Sequence, residues 1–109
     1  MHIEIAVNKE PSKSTTEFFK ELPQLMKAAA TWTIVSRTSL EATIKSTATM
    51  TSVPASPTFK LREISAGGIS ASLVDTGWSH EQQALALGPL VYLFLTTLSS
   101  FTRSIQISS

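Results

Sequence analysis

From Gln82 to Thr102 the chain carries no charged residue. Ala84 to Leu98 within this stretch is mostly Ala, Leu, Val, Tyr and Phe. So much apolar surface must leave water, and that requirement constrains everything the rest of the chain can form. The length approaches the roughly 20 residues of a bilayer-spanning helix. Gly88-Pro89 falls early in it, Thr96, Thr97, Ser99, Ser100 and Thr102 dilute its end, and no basic cluster flanks it to set an orientation. The expectation is a helix buried in a core or against another chain. The alternative is a tail-anchored membrane protein spanning with residues 82–102.

The upstream chain supplies what such a helix would cover. Ile3, Ile5 and Val7 alternate with polar residues and predict a half-buried strand. Ser14 and Glu17 have the spacing of a capping box, opening a helix whose apolar face is Phe18, Leu22, Leu25 and Ala29, widened by Phe19 and Met26. Pro23 falls inside that pattern and predicts a kink, two short helices, or a restart with proline at the first helical position.

From Trp32 the period becomes two. Trp32 and Ile34 are expected on one side, Thr33 and Val35 on the other, before a turn at Arg37-Thr38-Ser39. Leu40, Ala42, Ile44, Ala48 and Met50 then alternate with polar residues, and the dense β-branched threonine favours a strand over a helix. Val53 to Pro57, with two prolines, is a loop. Phe59 and Leu61 begin another strand, ending near Ile64. Gly67-Gly68 marks a turn, and Ile69, Ala71 and Leu73 return as its hairpin partner. Ser79 with Gln82 forms a second capping box at the start of the apolar helix. Ile105 and Ile107 suit a short last strand.

Chemistry is harder to find. With no cysteine, disulfides, thiolate zinc sites and cysteine nucleophiles are excluded. Nine Lys and Arg against eight Asp and Glu leave a net charge of +1, too little for a phosphate-neutralising face, so no nucleic-acid partner is expected. His80-Glu81 begins a zinc-protease helix, but Ala84 stands where the second histidine is required. Gly68-Ile69-Ser70 starts like a nucleophile elbow and lacks the closing glycine. No phosphate loop is present, and the carboxylates are scattered. The remaining enzyme reading is a site assembled from Asp75, His80 and distant carboxylates. The two histidines, His2 and His80, read more simply as an exposed terminus and a helix-start residue. Thr43, Thr47, Thr49 and Thr51 would form a hydroxyl row on one sheet face, read as a solvated outer surface.

These readings converge on a single α+β domain over residues 1–109, with a mostly antiparallel four- to five-stranded sheet and two helices packed on one face. The functional expectation is a small non-catalytic protein–protein interaction module (adaptor, inhibitor or regulatory subunit) that self-associates through its apolar C-terminal helix. Trp32, Trp78, Leu90, Tyr92, Leu93 and Phe94 are its candidate interaction residues. A protein partner or a second copy is expected, with no cofactor and no metal. Glu4 interrupts the apolar run that a secretory signal needs, which predicts a cytoplasmic location.

Overall fold

Alternation and turn chemistry set the strands, and the computed structural model describes residues 3–6, 15–29, 31–47, 56–63, 69–96 and 104–108. The elements are β1 (Ile3–Ala6), α1 (Thr15–Met26), β2 (Trp32–Arg37), β3 (Glu41–Ser46), β4 (Thr58–Glu63), β5 (Ile69–Leu73), α2 (His80–Thr96) and β6 (Ser104–Ser108). All six strands join one sheet in the order β1-β6-β5-β4-β3-β2. The fold is α+β, and the expected four or five strands become six because both terminal segments pair with each other. β5 and β6 are parallel and every other pair is antiparallel. The parallel pair follows from α2, which carries the chain back to the starting end of β5 as a crossover must.

The register sorts side chains onto two faces. Ile34, Ile44, Phe59 and Leu73 stand opposite one another across four strands, as do Ala42, Leu61 and Ala71. Together with Trp32 and Ile69 they meet Phe18, Phe19, Leu22 and Met26 of α1 and Ala86, Leu87, Leu90, Leu93 and Phe94 of α2 in one apolar cluster. Phe18 and Phe19 touch edge to face with ring centroids 4.9 Å apart. On the opposite face Glu41 ion-pairs with Lys60 and Arg62 at 3.6 and 3.3 Å. The expected hydroxyl row is therefore interrupted by charge. Thr43 and Thr47 flank Lys45, while Thr49 and Thr51 lie outside the described residues.

Two departures from simple periodicity are linked. α1 runs through Pro23 as one helix rather than breaking there. In β2 the register shifts between Ile34 and Ser36, so Val35 is an extra residue and Arg37 stands opposite the buried Ala42. Residues directly opposite share a face. The bulge thus turns Arg37, which strict alternation from Trp32 would send outward, toward the side of α1. Leu40, expected inward, is exposed in the β2–β3 turn. That turn is tied by Thr38, whose hydroxyl accepts from the amides of Leu40 and Glu41 at 3.2 and 3.1 Å.

The Ser14–Glu17 cap and the Gly67-Gly68 turn lie outside the described residues. The strands that flank the latter pair as the expected hairpin, with Glu63 opposite Ile69.

Candidate functional site

The start of α2 is fixed by local chemistry. Ser79 Oγ accepts from the Gln82 amide at 3.1 Å, and Gln82 Oε1 accepts from the Ser79 amide at 3.0 Å. Both arms of the capping box are made, satisfying two amides that a helix start otherwise leaves free. Gln83 Nε2 donates to the Trp78 carbonyl at 3.1 Å, tying the helix to its lead-in segment. Gly77 turns the chain ahead of Trp78 with φ of 81°.

From that start the helix has two apolar sides. Ala86, Leu87, Leu90, Leu93 and Phe94 face the core. On the opposite side Leu85 is 42% exposed, Tyr92 70% and Leu95 51%. Ala84, Gly88 and Thr96 are exposed among them. The 84, 85, 88, 92, 95, 96 spacing is that of one helical stripe, and no charged residue stands on it after Glu81. A β-carbon at Gly88 would meet nothing within 4 Å, so the glycine leaves a gap in the side chains of the stripe, open to solvent.

The C-terminal end of the stripe opens into a cleft of about 360 Å³ lined by Ala28, Ala29, Thr31, Trp32, Tyr92, Leu93 and Thr96. The end of α1 shapes its far wall. Amides of Ala28 and Ala29 donate to Leu25 and Met26, and the Trp32 amide donates to Ala29, so the chain passes tightly into β2. Thr96 Oγ1 donates to the Tyr92 carbonyl at 2.7 Å, which turns that hydroxyl's proton back onto the helix.

The structure brings Trp32, Tyr92 and Leu93 to this cleft and places Trp78, Leu90 and Phe94 elsewhere in the core. Trp32, Trp78, Leu90, Leu93 and Phe94 are buried, which leaves Tyr92 as the surface residue of the six. Leu85, Leu95 and Gly88 complete its face. Sequence reading passed over them because the helix is apolar on every side, so periodicity favours no direction.

Asp75 and His80 are not assembled into a site. Asp75 Oδ2 accepts from the Thr58 amide at 2.8 Å and caps the start of β4. His80 is exposed in the first turn of α2. Among the described residues no group of three His, Asp or Glu side chains is placed to hold a metal ion. Nor is any helix among them long and apolar enough to cross a membrane. As for the alternative of a span over 82–102, α2 ends at Thr96 and its buried residues belong to the apolar cluster.

The fold and this surface define an α+β protein of one six-stranded sheet and two helices, with an apolar helical stripe turned outward. No family model, curated protein or solved structure matches the chain.

Proposed function

We propose that this chain is a small non-catalytic interaction module that binds a second copy of itself through the outward stripe of α2. The reading takes both helices to cover one face of the sheet, the side of Ala42, Ile44, Phe59 and Leu61. The Glu41–Lys60–Arg62 face is then left to water, and the outer side of α2 groups three of the exposed large apolar side chains, Leu85, Tyr92 and Leu95, on one helix. Their shared cluster supports this placement.

The observation that carries the reading is the symmetry of the stripe about the level of Leu90. Leu85 and Leu95 lie equally far on either side of it, as do Gly88 and Tyr92, and Ala84 and Thr96. An antiparallel pair of α2 helices with a two-fold axis at that level sets each Tyr92 ring over the gap at the other copy's Gly88. Each Leu85 then meets a Leu95. A two-fold contact needs such self-complementarity, because the same patch must serve both partners. The stripe also brings no like charges together when it meets itself. One helix pair sits at the small end of protein interfaces, so a weak, rapidly exchanging dimer is expected.

Sedimentation across a concentration series tests this. The unmodified chain should move from monomer to dimer as concentration rises. Leu85→Lys and Leu95→Glu should each abolish the dimer, and the double variant should regain it, since each new lysine would face a new glutamate. A chain that stays monomeric at every concentration, or a double variant that never recovers, overturns the reading.

A further inference from the structure

At the other end of β2 from Trp32 lies a second cleft, of about 340 Å³, lined by Lys20, Arg37, Thr38 and Ser39. We propose that it binds a small phosphate monoester, held through the phosphate by Lys20, Arg37 and Ser39.

Charge is the first support. On the outer face of the sheet, Lys60 and Arg62 are both matched by Glu41. In this cleft two cations line one small space, and neither pairs with a carboxylate among the described residues. A dianion would match them two for two. Preorganisation is the second. Arg37 Nη1 is held by the Phe19 carbonyl at 3.0 Å, which fixes the guanidinium and leaves its other N–H donors for a ligand. Thr38 shapes the wall rather than binding. Its hydroxyl accepts two turn amides, and its own amide donates to the Glu41 carbonyl at 2.8 Å. That bracing presents Ser39, whose hydroxyl bonds to no described group, at the rim. The donor set is thus one ammonium, one guanidinium fork and one hydroxyl, a combination that suits the several oxygens of a phosphate better than the two of a carboxylate. The cleft's lining also exposes more apolar than polar surface, which suits the organic group of a monoester beside its phosphate.

The Arg37 bond to Phe19 joins β2 to α1, so substitutions for the test are better placed at Lys20 and Ser39. The full chain, labelled with ¹⁵N, is titrated at constant ionic strength with inorganic phosphate, then with glycerol phosphate, with sodium chloride as the comparison. The expected result is saturable shifts confined to the amides around Lys20 and Arg37 to Ser39, with glycerol phosphate binding more tightly than phosphate and chloride without effect. Lys20→Gln should weaken binding about tenfold and Ser39→Ala severalfold, as loss of a charged and a neutral donor predicts. Lys45→Gln, at a solitary cation on the outer face, should leave it unchanged. Phosphate binding as tightly as glycerol phosphate would overturn the monoester assignment. Shifts spread over Lys27 and Lys45 as well, or unaltered by Lys20→Gln, would overturn the site. Variants of the α2 stripe should not alter the titration, which keeps this outcome separate from that of the dimer.

Discussion

Arg37 Nη1 donates a 3.0 Å hydrogen bond to the carbonyl oxygen of Phe19, the acceptor that Pro23 leaves without its helical donor. In an α-helix that carbonyl would bond the amide four residues on, and proline has none. A side chain from the neighbouring strand supplies the missing proton. It arrives there because the bulge at Val35 turns Arg37 toward α1. Two apparent irregularities, a proline within a helix and an extra residue in an edge strand, therefore compensate one another.

Arg37→Ala should destabilise the chain by about 1–2 kcal/mol, the loss of a charge-assisted bond to a part-buried carbonyl. In a Pro23→Ala background the restored amide can bond Phe19 instead, and the penalty should fall by more than half. Urea unfolding of the four proteins in this cycle measures the coupling. Equal penalties in both backgrounds would show that Arg37 does not serve the acceptor freed by Pro23.

The capping box makes a second prediction. Ser79→Ala should cost about 1 kcal/mol, since it strands the Gln82 amide. Gln82→Ala removes the return bond to the Ser79 amide and should cost less, because that amide lies nearer to water. The two bonds fix the same turn, so the double variant should lose less than the singles added together. Thermal unfolding of the three variants checks the order.

These two predictions mark what the sequence can and cannot reveal. The Ser79 cap was legible because both partners lie three residues apart and the geometry is wholly local. The hairpin of β4 and β5 was legible for the same reason. Continuous α1 was not, because its compensation comes from Arg37, distant in sequence from the proline it serves. The bulge was equally hidden: Thr33-Ile34-Val35 is a smooth β-branched run, and no glycine marks the extra residue. Among the candidate interaction residues, Trp32, Trp78, Leu90, Leu93 and Phe94 were chosen for size and apolarity, qualities that serve a core as well as an interface. Tyr92 could be told from Leu93 only once the sheet fixed which side of α2 faced inward.

Gly77 gives a test of backbone strain free of packing. Its φ is 81° and a β-carbon there would meet nothing within 4 Å. Gly77→Ala should still cost about 1 kcal/mol, because the left-handed region is unfavourable for a residue with a β-carbon even in open space. Gly77→Asn should cost less than Gly77→Val, as asparagine tolerates that region best among side-chain-bearing residues. Chemical denaturation gives the ranking. Equal stability of all three variants would place Gly77 in an ordinary conformation.

Tyr92 and Leu93 are neighbours in sequence, one exposed and the other buried, so the same substitution at each should have unrelated consequences. Leu93 is 2% exposed and packs into the central cluster. Leu93→Asp would place an unpaired carboxylate among Trp32, Leu90 and the other apolar groups, a cost of several kcal/mol that a small domain's stability does not absorb. The expected result is loss of the folded state, read as loss of the cooperative melt. Tyr92 lies on the outward stripe, where a carboxylate stays hydrated. Tyr92→Asp should keep the fold within about 1 kcal/mol, the range of helix propensity and surface effects. Its consequence should be felt between molecules. The charge would lie against Gly88 of a second copy, and association should disappear while the melt persists. Circular dichroism and sedimentation on the same samples separate the two effects. A Tyr92→Asp protein that unfolds would place Tyr92 in the core, and one that still dimerises would remove the stripe from the interface.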